Sequence, residues 1–175
     1  MSSSPFIRIL LVDDHWLFRR AVRDLLQDDQ QLRVVGEASS GEAAVAQARR
    51  LKPAVVVMDF CMPGMGGVCA IREIRMELPQ VQIVMASVSA EALDVVEALK
   101  AGARGYFAKD DEPAVILEAV RQVADGKLYL ASGVATSVCR LLAAENAVVA
   151  PPGNDSLLAS VRRRCSRFSH RQAKP

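Results

Sequence analysis

The sequence predicts an α/β fold: a doubly wound sheet of five parallel strands, helices on both faces, and an extra C-terminal helix. Three observations carry that prediction. Short apolar runs recur five times. Three of them are hydrophobic without interruption, as strands covered on both faces must be. Between the runs, apolar residues return at helical spacing, and strand–helix alternation of this kind gives right-handed crossovers and a parallel sheet.

The first strand is read at Ile7–Val12, where Ile9-Leu10-Leu11-Val12 leaves no polar gap. Leu17, Phe18, Ala21, Val22, Leu25 and Leu26 then form one apolar helical stripe. Leu32–Glu37 supplies the second strand and Ala54–Met58 the third, with Val55-Val56-Val57-Met58 as its continuous centre. The fourth, Gln82–Ala86, contains Ile83-Val84-Met85-Ala86. A helix opening near Ala90 carries Ala92, Val95, Val96 and Leu99, and Gly102 stands where a left-handed terminator belongs. Gly105–Ala108 is the fifth strand. Asp111 and Pro113 suit the start of a helix through Ile116, Val120 and Val123, and Ser132–Ala144 reads as the extra helix.

A chain of 175 residues, 51% of them hydrophobic, can bury a core without staples or metals. The expected organisation is one domain over 6–130, an additional helix over 131–145, and a linker with a flexible basic tail over 146–175. Six of the 22 Lys/Arg but only two of the 20 acids, Glu145 and Asp155, lie from Ala144 onward, so the body is mildly acidic and the tail basic. Cys61, Cys69, Cys139 and Cys165 form no C-x-x-C pair, and His15 and His170 are far apart, which argues against zinc. Met1 to Pro5 leads straight into a strand with no secretory signal, and no run approaches the roughly 20 apolar residues of a bilayer span. A cytoplasmic protein with reduced thiols is expected.

An open doubly wound sheet places its functional crevice at the carboxyl ends of its strands. Four of the five runs end in groups of chemical interest: Asp13-Asp14, Asp59, Ser87 and Lys109. Glu37, at the end of the second run, is read as lying outside the site. Three converging carboxylates repel one another and call for a cation. An all-oxygen set suits Mg²⁺ rather than zinc. Lys109 and the Ser87 hydroxyl offer contacts to phosphoryl oxygens, and a carboxylate such as Asp59 can form an acyl phosphate.

Leu10-Leu11-Val12-Asp13-Asp14-His15, Val57-Met58-Asp59-Phe60-Cys61-Met62-Pro63-Gly64-Met65 and Gly105-Tyr106-Phe107-Ala108-Lys109-Asp110 resemble the response-regulator receiver domain. Val34-Val35-Gly36-Glu37-Ala38 and Ala101-Gly102-Ala103-Arg104-Gly105-Tyr106 are similar to its NarL/FixJ group. The resemblance covers roughly Ile7 to Leu130 and implies the flavodoxin-like strand order 2-1-3-4-5. It further implies that Asp59 accepts a phosphoryl group from a sensor histidine kinase. Mg²⁺ would be held by Asp14, Asp59, the Cys61 backbone carbonyl and, through water, Asp13. Ser87 falls at the family's Thr/Ser switch position, Tyr106 at its aromatic switch position, and Lys109 at its lysine. Phosphate on Asp59 would draw Ser87 inward and let Tyr106 move into the space behind it.

Around this core, His15 is read as a helix-start or surface residue rather than a phosphodonor or ligand, and Trp16 as an exposed helix-start aromatic. Cys61 and Cys69 are read as unreactive. Gly66 replaces an acid and should weaken the third helix's N-cap. A phosphatase is not expected, because Cys61 stands where such enzymes carry a second acid; at most the chain would catalyse its own phosphorylation and dephosphorylation.

A NarL-type regulator continues into a helix-turn-helix, whereas here Val148 to Asp155 reads as a linker and Arg162-Arg163-Arg164-Cys165-Ser166-Arg167 as a basic arm with no DNA-reading helix. That arm is compatible with disorder, attraction to membranes or nucleic acid, partner docking, or a linker whose output domain is missing. The leading expectation is a regulator whose output is contact with a downstream protein, with homodimerisation open and sequence-specific DNA binding not expected. The alternative is the receiver half of a NarL-type transcriptional regulator.

Overall fold

In the computed structural model, residues 6–89 and 91–147 are described. The elements run β1 (Ile7–Val12), α1 (Trp16–Gln27), β2 (Leu32–Ala38), α2 (Gly41–Leu51), β3 (Val55–Asp59), α3 (Gly67–Glu77), β4 (Gln82–Ser87), α4 (Ala92–Ala101), β5 (Gly105–Ala108), α5 (Pro113–Ala124), β6 (Tyr129–Leu130) and α6 (Ser132–Ala147). Ala90, and the tail from 148 with its linker and basic run, lie outside the described residues.

The sheet order is β2-β1-β3-β4-β5-β6, with every neighbouring pair parallel. The expected order of the first five strands holds, and a sixth is added at the β5 edge. Tyr129 N–H donates to the Arg104 carbonyl (2.9 Å) and Ala131 N–H to that of Tyr106 (3.1 Å). Two residues are too few to show a strand period, so the sequence pattern carries no sign of β6.

The uninterrupted apolar runs have the predicted cause. β3 is buried along its whole length and β1 along its last four residues, with Ile9, Leu10, Val55, Met58, Ile83 and Met85 fully enclosed. Burial of each such side chain stabilises the fold by about 1.5–3 kcal/mol. β2 flanks the sheet and is only half-buried, and its pairing slips by one residue between Ile9 and Leu10, leaving Val35 as a bulge.

Helix ends follow local chemistry. The Ser40 hydroxyl accepts from Ala43 N–H at the start of α2 (3.2 Å), and Gly102 closes α4 at φ 113°, as its position predicts. Glu112, not Asp111, is the N-cap of α5. Asp111 instead folds back, accepting from Ala108 N–H (2.8 Å) and tightening the turn that carries Lys109. α6 packs against α4 and β5.

Candidate functional site

Because β1, β3, β4 and β5 are neighbouring parallel strands, their carboxyl ends open on one side of the sheet. Asp13 follows β1 and stays in register through its N–H to the Ala38 carbonyl (3.1 Å). Asp59 is the last residue of β3, Ser87 the last of β4, and Lys109 follows β5. The Lys109 N–H donates to the Ser87 carbonyl (2.7 Å), which fixes the spacing between the last two strand ends.

Asp13, Asp59 and Ser87 are the buried polar residues among those described, 2%, 3% and 2% exposed. Lys109 Nζ reaches Asp13 Oδ2 at 2.6 Å and Asp59 Oδ1 at 3.0 Å, while lying 4.9 Å from the centre of the Phe18 ring. Asp59 Oδ1 also accepts from Cys61 N–H (3.3 Å). Burial first, then repulsion by Asp13, pushes the Asp59 pKa up to about 6, against the lowering influence of Lys109.

The loop after Asp59 is shaped by glycine. Gly64 turns at φ 74°, Glu42 Oε1 accepts from Met65 N–H (3.0 Å), and Gly67 lies so close that a Cβ would stand 2.0 Å from the Asp59 carbonyl oxygen. As expected, Gly66 begins α3 without a side-chain cap.

The β1–α1 turn is held from two directions. His15 N–H donates to Asp13 Oδ1 (2.8 Å), and Arg19 Nη1 donates to the Asp13 carbonyl (2.5 Å) while its Nε donates to Glu37 Oε2 (3.2 Å). Glu37 also pairs with Arg23 (2.8 Å). It reaches the site through Arg19, which bridges it to the Asp13 carbonyl. His15 Nδ1 lies 2.8 Å from Asp14 Oδ1 and 3.4 Å from Asp13 Oδ1. Trp16 is exposed, as its place at the helix start predicts.

Ser87 and Tyr106 also meet through a third residue. Ser87 Oγ accepts from Ser89 N–H (3.1 Å), and the Tyr106 hydroxyl donates to the Ser89 carbonyl (2.9 Å). Tyr106 is fully buried, and that burial raises its pKa. Its ring therefore already occupies the interior that the resemblance has it enter. Sequence reading missed Arg19, Ser89 and Asp111, which act through backbone atoms and leave no motif.

The residues fit a divalent cation. Ligand atoms of Asp13, Asp14, His15 and Asp59 lie within 4.8 Å of one another. Buried Asp13 Oδ2 is paired with Lys109 Nζ (2.6 Å), and Asp14 Oδ1 lies 2.8 Å from His15 Nδ1. Carboxylate oxygens beside an open rim are a Mg²⁺-compatible donor set.

The response regulator receiver domain profile matches residues 9–121. The chain belongs to that receiver family. Response regulator UvrY of Escherichia coli (strain K12) is 43% identical over 129 residues, covering 74% of this chain and 59% of the relative. The nitrate/nitrite response regulator protein NarL of the same strain is 39% identical over 147 residues, covering 84% of this chain and 68% of the relative. This receiver thus spans about three fifths of the length of the UvrY proteins it matches. Among solved structures, a LuxR-family two-component response regulator from Aurantimonas sp. SI85-9A1 superposes with a TM-score of 0.76 at 30% identity, covering 79% of this chain and 99% of that one. The signal receiver domain of the putative response regulator NarL from Mycobacterium tuberculosis gives 0.68 at 34%, covering 71% and 100%. The NarL-like grouping is therefore shared by sequence and fold. Among the described residues no helix is long and apolar enough to cross a membrane.

Proposed function

We propose that this receiver is a cytoplasmic, phosphorylation-controlled switch of a two-component system, with Asp59 accepting a phosphoryl group from a sensor histidine kinase. The observation that carries the reading is a buried carboxylate at a strand end with an ammonium at 3.0 Å. A Asp59 carboxylate oxygen forms the new P–O bond as the phosphohistidine P–N bond breaks, and the pair of electrons leaves with the kinase imidazole. Lys109 holds a phosphoryl oxygen as a point charge and Ser87 donates its hydroxyl to another. Asp14, Asp59 and the Cys61 carbonyl would hold Mg²⁺, with Asp13 acting through water. When bound, Mg²⁺ supplies positive charge that offsets both the carboxylates and the incoming phosphoryl group.

The geometry also suggests how the signal leaves the site. Drawing Ser87 Oγ toward the phosphoryl group takes it from Ser89 N–H, and the Ser89 carbonyl is the anchor of the Tyr106 hydroxyl. The switch is then a three-residue unit, Ser87–Ser89–Tyr106, with Tyr106 starting inside. Output passes through protein contacts. A second reading, favoured by relatives that extend well beyond the matched region, makes this the receiver part of a DNA-binding transcriptional regulator; a helix-turn-helix in the adjoining reading frame would identify it.

Incubation with acetyl phosphate and Mg²⁺ should add one phosphate that hydroxylamine removes, and Asp59→Asn should take none. Equal labelling of Asp59→Asn and the parent would overturn the assignment. No turnover of a generic aryl phosphate is expected.

A further inference from the structure

Phe18 stands in the first turn of α1, one helical turn before Val22. It belongs to the apolar stripe that packs α1 on the sheet, and its ring is partly buried against the core. Packing alone accounts for an apolar residue at this position. It does not account for an aromatic one beneath a charge. The ring lies under the Lys109 ammonium, with Nζ 4.9 Å from its centre. The Lys109 side chain is 11% exposed, and its charge meets Asp13 Oδ2 at 2.6 Å, Asp59 Oδ1 at 3.0 Å and this ring. An aliphatic side chain could fill the same space, but only an aromatic face attracts a cation.

We propose that Phe18 is a positioning residue for phosphoryl transfer, its ring face holding the Lys109 ammonium where a phosphoryl oxygen arrives. The inference rests on the reading of Asp59 as the phosphoacceptor. Lysine carries its charge on a flexible four-carbon stem, so its neighbours decide where the ammonium sits. In the resting site Asp13 and Asp59 hold it by their negative charge. Those charges are the ones that change, because Asp59 is spent in the acyl phosphate and the acids are shared with a cation when one is bound. The attraction of the ring comes from a fixed quadrupole, which neither event alters. Phe18 is therefore the constant member of the lysine's surroundings. It keeps Nζ from swinging out to water while the carboxylates are engaged elsewhere, and its shelter from solvent strengthens the contact. Arg19, the next residue, holds the Asp13 carbonyl, so consecutive residues of α1 fix an acid and the lysine that meets it.

The test replaces Phe18 in the full chain by mono-, di- and trifluorinated phenylalanines, which keep the ring's shape while draining its negative face. With acetyl phosphate and Mg²⁺, the phosphorylation rate constant should fall stepwise, by about tenfold in all across the series. Phe18→Leu should lose as much, and Phe18→Tyr should recover most of the rate. Resistance to urea should fall along the same series. That fall should be absent in Lys109→Met, where an apolar side chain meets the ring. A flat rate across the fluorinated series overturns the positioning role. A stability loss of equal size in Lys109→Met, or none in either protein, overturns the contact itself. The underlying reading is checked separately. Labelling of Asp59→Asn as strong as the parent's means that reading has failed, whereas the stability coupling of Phe18 to Lys109 is measured without phosphate and does not depend on it.

Discussion

Lys109 stands closer to Asp13 than to Asp59, with Nζ at 2.6 Å from Asp13 Oδ2 and 3.0 Å from Asp59 Oδ1. One ammonium therefore serves two buried carboxylates. Replacing it with an uncharged side chain of similar length leaves those charges facing each other in a dry site. Lys109→Met should destabilise the metal-free protein by roughly 3 kcal/mol, with part of the loss recovered in millimolar Mg²⁺. Urea denaturation with chelator and with Mg²⁺ measures both effects.

Asp59 gives a pH dependence whose sign follows from its raised pKa. The folded state holds the proton up to about pH 6, whereas an unfolded aspartate releases it near 3.9. The ionised group therefore costs stability, with no cost below about pH 3.9 and the full cost above about pH 6. Metal-free Asp59→Asn should be more stable than the parent at pH 7.5, by on the order of 2 kcal/mol. That advantage should shrink steadily on acidification toward pH 4, as followed by thermal melts in chelator.

Arg19 ties the Asp13 carbonyl to Glu37 with two separate donors. Lysine has no second donor in that geometry. Arg19→Ala should cost about 2 kcal/mol and weaken Mg²⁺ binding several-fold by loosening the acid pair, and Arg19→Lys should restore less than half of the stability. Glu37→Gln keeps an acceptor and should have the smaller effect. Chemical denaturation and calorimetric titration separate the two consequences.

Adjacent glycines should respond in opposite directions. A Cβ at Gly67 would meet the Asp59 carbonyl oxygen at 2.0 Å, a backbone atom that cannot step aside, so Gly67→Ala should cost about 3 kcal/mol. Gly66 has nothing nearer than 4.0 Å and occupies the uncapped start of α3 at φ −65°. Gly66→Asp should therefore gain a few tenths of a kcal/mol. Comparing the two midpoints in one denaturant series checks both.

The features legible in the sequence were those written in side-chain pattern. Val55-Val56-Val57-Met58 reads as a strand covered on both sides, and Asp59 at its end is one of the two buried acids of the site. Gly102 announced the end of α4 because an αL position favours glycine. What stayed hidden depends on backbone partners or on distance. Arg19 reaches a carbonyl six residues away, and Asp111, read only as part of a helix start, bonds to a peptide N–H of the preceding turn. His15 is the exposed N-cap that its place predicts, but its pairing with Asp14 at 2.8 Å appears only in the fold. The inward position of Tyr106 is likewise a choice of rotamer, which composition and spacing do not encode.

Tyr106 also faces the other way along the sheet. Its carbonyl accepts from Ala131 N–H, one residue before α6, while its hydroxyl bonds to Ser89. The polypeptide thus leaves the sheet hydrogen-bonded to the residue whose ring is buried behind the switch loop. Under the proposed chemistry, linkage makes that connection work in both directions. Whatever clamps the departing peptide in place biases the phosphorylation equilibrium by the same free energy with which phosphorylation biases the clamp. A protein gripping α6 would then act as an effector of Asp59 as well as a reader of it.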